Sequence, residues 1–343
     1  MPLPKVTIIM PAYNAQDFIE NSVRSILGQS YGNIELIVVN DGSKDETGNI
    51  LARIAAQDKR LRPLNTENGG PAVARNRGLD IVSADTEYIM FADADDALLT
   101  DAVEYSVRGM EKGAELVIFG FTIVRADGGE THYFEPEQLI SRPELKNAFT
   151  RLYKANLLNQ VWGKLYRAEV LENIRFKDYR WGEDRLFIFD CLEKLESICV
   201  LPECKYHYVM HEGESLITKF YDKKLQVCLE SDAQVERLCK ELGVEDDNDC
   251  KYMFAKSIFS CITNLFSPSC KLTKAEQRAF VHSVVENEQV RRRCSGVSAG
   301  LPTKVLCGVL KSGSVGLNLL TFRAVAFVGK AAPALFIKLK HRK

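Results

Sequence analysis

Short apolar runs alternate with longer amphipathic stretches over the first part of the chain. The apolar runs are rich in β-branched residues, which is typical of strands buried on both faces: Val6–Met10, Ile34–Val39 and Tyr88–Phe91. The stretches between them have helical spacing: Asp17–Leu27, Asp45–Ala56 and Pro71–Ile81. This alternation predicts right-handed β–α–β units, and therefore a mixed, mainly parallel α/β sheet with helices on both faces.

Two of these helices carry start signals. Ser43 and Glu46 have the spacing of a capping box, so we expect an N-cap at Ser43. Pro71 suits the first turn of the third helix, where its missing N–H costs no hydrogen bond.

The later part of the chain changes character. The pattern predicts a strand pair over Glu115–Phe134, a helix over Ser141–Asn156, and short strands within Val161–Arg167 and Ser197–Val209. From about Phe220 onward it is helical to the end. We therefore predict an α/β domain over residues 1–220 and a helical C-terminal extension over residues 221–343.

Composition narrows the class of protein. The 343 residues are 46% apolar and 27% charged, which excludes a disordered chain, a collagen-like repeat and a disulfide-rich miniprotein. All ten cysteines lie at or after Cys191, without zinc-type spacing, which indicates free thiols in a reducing cytoplasm. The N-terminus does not resemble a signal peptide, and no apolar run approaches the ~20 residues of a membrane-spanning helix.

Polar residues follow each predicted parallel strand, at the edge where ligands bind in open α/β sheets. These segments are Pro11–Asn14, Asn40–Ser43, Glu67–Asn76 and Asp93–Asp96. They bring carboxylates, an aromatic ring, glycines and an arginine to one rim.

Each of these side chains has two interpretations. Asp41 can accept an N–H from a base such as uracil, or it is a turn aspartate before a glycine. Tyr13 packs on that base or is an ordinary loop residue. Asn68 and the two glycines after it precede a helix N-terminus, which favours anions. Arg75 reaches a phosphate, or it lies on a solvated face or in an ion pair.

Asp93 and Asp95 form the sharper signal. Residues i and i+2 of an extended segment lie on the same side, so both carboxylates can face one divalent cation that also binds diphosphate oxygens. The alternative is an acidic surface loop, in which Asp96 holds the backbone.

A second pair of carboxylates, Glu183 and Asp184, opens a helix predicted over Leu186–Leu195. One of them can act as general base toward an acceptor hydroxyl, although acids are also favoured in a first helical turn by the helix dipole. Trp162 and Lys164 are candidates for the acceptor side, with Trp162 equally compatible with the core.

His207 and His211 are candidate metal or phosphate contacts, and the alternative for His207 is a packed strand. The chain has no Gly-x-Ser-x-Gly, Walker lysine loop or Gly-x-Gly-x-x-Gly, which argues against a hydrolase, a P-loop enzyme and a dinucleotide dehydrogenase.

The motifs, taken in order, resemble family 2 inverting glycosyltransferases of the GT-A fold. They are Pro11–Asn14, Asn40–Ser43, Asn68–Gly70 with Ala74–Asn76, Asp93–Asp96, Trp162–Lys164 and Gly182–Asp184. The resemblance covers roughly residues 4–220. It departs at Gly70–Pro71, where many relatives have a non-glycine and a small polar residue.

The resemblance implies transfer of a sugar, with inversion, from a nucleotide-sugar that is most often a UDP-sugar. It implies Mn²⁺ or Mg²⁺ at Asp95 with Asp93, and Asp184 as catalytic base with Glu183 beside it. The implied donor contacts are Pro11, Ala12, Tyr13, Asn14, Asp41, Asn68, Gly69, Arg75, Asp93 and Ala94.

The implied acceptor is a glycan or a lipid-linked glycan of the bacterial envelope. Two alternatives stay open: transfer to a polyprenyl phosphate, which needs no base, and a non-catalytic scaffold that binds nucleotide-sugars. We expect no nucleic-acid partner, and an oligomer is compatible with the sequence.

Charge is distributed unevenly, although the net charge is −1. From Val290 onward there are 11 Lys or Arg residues and no Asp or Glu. The tail Leu301–Lys343 therefore resembles an amphipathic segment attracted to the inner surface of a membrane. The alternatives are packing on the catalytic domain and a dimer contact. We expect a cytoplasmic protein, either free or peripheral on that membrane face.

Overall fold

A computed structural model describes residues 2–211 and 219–331. The chain divides into two compact units, Met1–Glu212 and Gly213–Lys343, called here the N-terminal and C-terminal units. The predicted boundary between a domain of residues 1–220 and an extension of residues 221–343 stays a prediction.

The described part of the N-terminal unit contains a ten-stranded mixed sheet. Its strands, in chain order, are β1 (Lys5–Ala12), β2 (Ile34–Asp41), β3 (Leu61–Thr66), β4 (Thr86–Phe91), β5 (Ala97–Leu98), β6 (Leu116–Val124), β7 (Glu130–Tyr133), β8 (Gln138–Ser141), β9 (Lys164–Arg167) and β10 (Ser197–Val209). The order across the sheet is β3-β2-β1-β4-β9-β6-β10-β5, with β7 paired to β6 and β8 to β10. Strands β1 to β4 are mutually parallel, as are β6 and β10, whereas β9 is antiparallel to both of its neighbours.

The helices of this unit connect the strands. They are α1 (Ile19–Leu27), α2 (Thr47–Gln57), α3 (Pro71–Leu79), α4 (Ala102–Met110), α5 (Leu145–Lys154) and α6 (Glu183–Leu192). In β1, the consecutive residues Ile8, Ile9 and Met10 are fully buried. Since successive strand residues point to opposite faces, both faces of the sheet are covered there. The predicted mixed α/β fold with a helical C-terminal region is confirmed.

One predicted helix start is wrong. Helix α2 begins at Thr47 rather than after Ser43, because Ser43 is used elsewhere: its hydroxyl accepts a hydrogen bond from the Asn14 N–H at 3.0 Å. Asp45 accepts from the Thr47 N–H at 3.1 Å instead. Strand β3, at the edge of the sheet, is not predicted by the sequence pattern.

The described C-terminal unit is helical, as predicted. It contains α7 (Lys224–Leu242), α8 (Asn248–Thr263), α9 (Lys274–Glu286), α10 (Glu288–Ser295), α11 (Leu301–Lys311) and α12 (Val315–Ala331). The part of the predicted tail beyond residue 331 lies outside the described residues. Among the helices that are described, none is long and apolar enough to cross a membrane.

A buried ion pair lies inside this unit. The Arg293 guanidinium is 1% exposed and binds both carboxylate oxygens of Asp232 at 2.8–3.0 Å, while also donating to Asp247. All ten cysteines are free thiols, and the sulfurs of Cys228 and Cys261 lie 3.6 Å apart.

Candidate active site

The carboxyl ends of the parallel strands meet at one edge of the sheet. Ala12 at the end of β1 pairs in register with Asn40 of β2, and Asp41 pairs with Thr66 of β3. The loop after β4 carries Asp93 to the same edge. The predicted rim is therefore present.

The first two loops of the rim bind each other. Asn14 adopts a left-handed backbone conformation (φ 47°), and its side-chain oxygen accepts from the Lys44 N–H at 2.8 Å. Pro11 is partly buried and Ala12 is buried. The Tyr13 side chain stays 52% exposed, so its ring is available to a ligand at this edge.

Asp41 binds the glycine loop. Its two carboxylate oxygens accept from the Gly69 and Gly70 N–H groups, each at 2.8 Å, and the Asn68 side chain donates to the Asp41 carbonyl at 2.9 Å. Gly70 has a φ of +87°, a conformation that L side chains rarely adopt. The glycine N–H groups thus face a carboxylate of the protein, rather than standing open to an anion as we expected.

Arg75 is the centre of the site. Its side chain, only 4% exposed, donates to Asp93 Oδ1 at 2.8 Å, Asp184 Oδ1 at 2.8 Å and Glu183 Oε1 at 3.0 Å. Burial alone lowers the pKa of a guanidinium, but the facing carboxylates of Asp184, Asp93 and Glu183 outweigh it and hold the pKa of Arg75 above its usual range. The structure therefore places Arg75 in ion pairs with these carboxylates, buried rather than on a solvated face.

Arg75 brings together residues far apart in the sequence. Its partners include Asp93, on the loop predicted to bind a cation, and Asp184, the candidate base, which is 109 residues away from Arg75 along the chain. The two candidate carboxylates thus bind one guanidinium and belong to one cluster.

Glu183 and Asp184 occupy the first turn of α6, and Gly182 before them has a left-handed backbone (φ 79°). Burial is the largest effect on both carboxyl groups and raises their pKa values, although Arg75 opposes it. The second oxygen of Asp184, Oδ2, lies 3.4 Å from the Val161 N–H and is the less tightly held of the two.

The carboxylates of the Asp93–Asp96 loop differ in exposure, because Asp96 is buried whereas Asp95 is open to solvent. Asp96 is buried and accepts from the Tyr206 hydroxyl and the Val209 N–H, both at 2.8 Å. The same Tyr206 oxygen accepts from the Asp93 N–H at 3.1 Å. The Ala94 carbonyl accepts from Ser22 at 2.8 Å. Tyr206 fixes this loop, a role that its strand-like surroundings in the sequence did not reveal.

Asp95 is the open carboxylate of this loop. Its side chain is 47% exposed, and His211 Nε2 lies 3.9 Å from its Oδ2. The His211 ring also packs on Phe18, with ring centroids 4.0 Å apart. His207 instead pairs with Ala97 across the sheet, as expected for a strand residue.

The candidate acceptor residues lie deeper than expected. Trp162 is 6% exposed and stacks on Tyr206, with centroids 4.4 Å apart. Lys164 is fully buried, so it cannot line an open acceptor pocket, and its ammonium donates to the Gln160 carbonyl at 2.6 Å and the Trp162 carbonyl at 3.3 Å. Both residues therefore pack below the surface of the site and hold neighbouring groups in place.

The site offers a cation few protein ligands. Within residues 2–211 and 219–331, no group of three or more His, Cys, Asp or Glu side chains is placed to hold a metal ion. Asp93 already binds Arg75, which leaves Asp95 as the main carboxylate. This set suits Mg²⁺ or Mn²⁺, since such hard cations are commonly held by one or two carboxylates plus the phosphates of a substrate.

Comparison with known proteins shows the class of enzyme to which this fold belongs, the glycosyltransferases. The sequence profile of the family described as "Glycosyl transferase family 2" matches residues 7–175. An uncharacterized glycosyltransferase of Haemophilus influenzae is 32% identical over 57% of this chain and 75% of its own length. The chain belongs to glycosyl transferase family 2.

Other relatives match only in part. EpsJ of Bacillus subtilis, named an uncharacterized glycosyltransferase, is 32% identical over 60% of this chain, which spans 61% of EpsJ. A Campylobacter jejuni enzyme, named GalNAc(5)-diNAcBac-PP-undecaprenol beta-1,3-glucosyltransferase, is 27% identical over 53% of this chain and 58% of its own.

Solved structures share the fold. TarS 1–349 of S. aureus, in complex with UDP-GlcNAc, has a TM-score of 0.68 at 19% identity, with 95% of this chain and 92% of that chain covered. The mannosyltransferase PcManGT of Pyrobaculum calidifontis, in complex with GDP-Man and Mn²⁺, has a TM-score of 0.53 at 16% identity, with 96% and 88% covered.

Proposed function

We propose that this protein is an inverting glycosyltransferase that moves a sugar from a nucleotide-sugar, most simply a UDP-sugar, to a hydroxyl of a glycan or lipid-linked acceptor in envelope polysaccharide synthesis. The observation that carries the proposal is the Arg75 guanidinium, which joins Asp93 and Asp184 at 2.8 Å each. A carboxylate on the leaving-group side and a carboxylate on the acceptor side would thereby be bound to one guanidinium, which fixes their relative position for a single displacement. Free thiols accord with a cytoplasmic location.

The donor nucleoside would lie on the rim of β1 and β2. The exposed Tyr13 ring offers a surface for the base. Asp41 would accept an imide N–H of the base through the lone pair that each carboxylate oxygen keeps beside the glycine loop, although the side chain is only 4% exposed and lies 3.7 Å from Arg77. Donor contacts by Pro11, Ala12, Asn14, Asn68, Gly69, Asp93 and Ala94 are part of the same proposal.

Asp95, assisted by Asp93, would hold Mn²⁺ or Mg²⁺ against the diphosphate. A bound divalent cation supplies positive charge that stabilises a departing nucleoside diphosphate. The open Asp95 side chain is suited to this, while Asp96 and Tyr206 keep its loop in place. His211, beside Asp95, would contact the cation or a phosphate; His207, paired within the sheet, is not assigned a contact.

Asp184 would take the proton of the attacking hydroxyl. Its Oδ1 binds Arg75, so Oδ2 is the oxygen available to the acceptor. Burial raises the pKa of this carboxyl, which makes it a stronger base than an exposed aspartate. Attack opposite the diphosphate inverts the anomeric centre without a covalent intermediate.

Arg75 would act through the carboxylates rather than on the diphosphate. Its two terminal nitrogens are engaged by Asp93, Glu183 and Asp184. We therefore assign it a positioning role, in which it fixes Asp184 relative to the loop that would bind the cation.

The test begins with a thermal-shift screen of nucleotide-sugars with and without Mn²⁺, since ligand stabilisation reports affinity. With the donor found, Asp184→Asn should lower turnover by roughly 10³-fold or more and change UDP affinity by less than about threefold. Asp178→Asn, an exposed aspartate just before α6, is the matched control and should keep full activity.

The outcomes separate the alternatives. Normal glycan transfer by Asp184→Asn would show that the base is misassigned. Transfer by that variant to a polyprenyl phosphate alone would favour the anionic-acceptor enzyme. Binding of a nucleotide-sugar without turnover in the wild type, across the acceptors tested, would favour the scaffold.

A further inference from the structure

Helix α12 is oriented with an apolar face outward. Leu317, Leu320 and Phe327 are 43%, 70% and 71% exposed. Their spacing puts them on one stripe with Arg323. The same helix buries Asn318 completely, with its amide donating to the Val309 and Ser314 carbonyls at 2.9 Å each. The helix also buries Phe322 beside Phe259, so its outward apolar residues are additional to those that its own packing uses.

Helix α11 repeats this arrangement. Leu301 and Val305 are 75% and 53% exposed and lie one helical turn apart. Lys304 and Lys311 are exposed on the same stripe. Pro302 lies in the first turn of the helix. Cys307 and Leu310 form its buried side, so the outward direction of the stripe is set by packing.

The charge on these two helices has one sign. Lys304, Lys311 and Arg323 have no acidic partner within the part of the chain that the structure describes. From Val290 to the end, the sequence contains no acidic residue at all. By contrast, Arg291 and Arg292 of α10 are neutralised by Glu286 and Glu236.

We propose that the exposed stripes of α11 and α12 bind the surface of an anionic lipid bilayer. The apolar side chains would enter the boundary between headgroups and acyl chains, while the lysines and arginine meet lipid phosphates. A second copy of the chain fits less well, because two such surfaces would bring like charges together. This inference goes beyond the proposed transfer reaction, and its test does not require activity.

The direct experiment is flotation of the full chain with vesicles of phosphatidylcholine, with or without about a third phosphatidylglycerol. The fraction of wild-type protein that floats should be roughly tenfold higher with the anionic vesicles than with the neutral ones. Salt at about 0.5 M should weaken this binding, because it screens the charges.

Two sets of variants separate the apolar and ionic contributions. Leu320→Ser with Phe327→Ser keeps every charge and should lower partitioning roughly tenfold. Lys304→Gln with Lys311→Gln keeps the apolar stripe and should lower it about fivefold per charge. Leu139→Ser, which alters a leucine of the N-terminal unit that is 48% exposed, is the matched control and should bind like the wild type.

Circular dichroism melts check that each variant is folded, and light scattering gives the mass of each protein in solution. Absence of wild-type binding to anionic vesicles would overturn the proposal. So would a wild-type dimer that the double serine variant makes monomeric without any change in flotation, since the stripe would then be a contact between copies. Equal flotation of the wild type and both double variants would place the lipid contact elsewhere.

Discussion

Among single residues, Arg75 has the largest influence on the candidate site, because it is a buried cation with three carboxylate partners. Removal of one member of a buried ion network leaves the others charged and without a partner, which is far more costly than loss of a surface pair. The arrangement therefore couples stability to the placement of the base.

We expect Arg75→Met to lower the free energy of unfolding by about 3–5 kcal/mol and to abolish transfer. Arg108→Met is the control in α4 of the same unit, where the side chain is 66% exposed and pairs with Glu104 on the same helix. It should cost less than about 1 kcal/mol. Urea unfolding and UDP release measure the two effects, and equal losses in the two variants would contradict the central position of Arg75.

Lys164 is the second informative residue. Burial lowers its pKa from the ordinary 10.5 to about 7. Its ammonium binds the carbonyls on either side of Val161, and the Val161 N–H faces Asp184. Lys164 therefore holds the backbone beneath the candidate base.

This lowered pKa predicts a pH-dependent stability. Between about pH 7 and pH 10.5, the unfolded chain binds a proton at Lys164 that the folded chain has released, so raising the pH favours the folded state. Relative to Lys164→Met, the wild type should gain up to about 1.4 kcal/mol per pH unit over this range. Unfolding free energies of both proteins near pH 7 and pH 9 test this; a constant difference would mean that the amine keeps its charge when buried.

At the scale of elements, the position of α3 determines where Arg75 lies. Gly78 faces β1, and a Cβ at this position would overlap the Ile9 Cγ2 methyl and lie 3.5 Å from Val39. The absence of a side chain thus allows α3 to approach the sheet closely.

Gly78→Ala should therefore destabilise the protein by about 1–3 kcal/mol, because a packed core resists added volume. It should also weaken UDP binding, since α3 has to move away from β1. Gly308→Ala in α11 is the helical control: nothing lies within 4 Å of the added Cβ, so the change should stabilise by about 0.5–1 kcal/mol. Calorimetry and UDP titration give both quantities, and a neutral Gly78→Ala would show that the helix is free to shift.

At the scale of the whole molecule, each of the two compact units has its own buried ion network, around Arg75 in one and around Arg293 in the other. A ligand that binds one folded unit stabilises that unit by mass action. Calorimetry of the full chain should therefore show separate unfolding transitions for the two units, each shifted by changes in its own unit.

We expect UDP with Mn²⁺ to raise the unfolding temperature of the N-terminal unit alone, with about 2.7 kcal/mol of stabilisation at a hundredfold excess over Kd. Arg293→Met should lower the unfolding free energy of the C-terminal unit by about 3–5 kcal/mol. Arg292→Met alters a side chain that is 57% exposed and should change that free energy little. A single transition shifted equally by ligand and by Arg293→Met would contradict this division.

The sequence alone determined the alternation of buried strands and helices, the carboxylates at the strand ends and the helical character of the C-terminal region. These features depend on local periodicity and on residue types within a few positions, so they are readable before folding. Strand β3 was missed for the same reason: as an edge strand with exposed polar residues, it lacks a buried run.

Only the tertiary structure decided which groups meet. Arg75 faces Asp184 from a helix far away in the sequence, Asp41 binds the backbone of the glycine loop, and Lys164 folds inward. It also decided which side of α12 faces out. Burial and long-range pairing set these outcomes, because the energy of a charge or an apolar side chain depends on what surrounds it in space rather than on its neighbours along the chain.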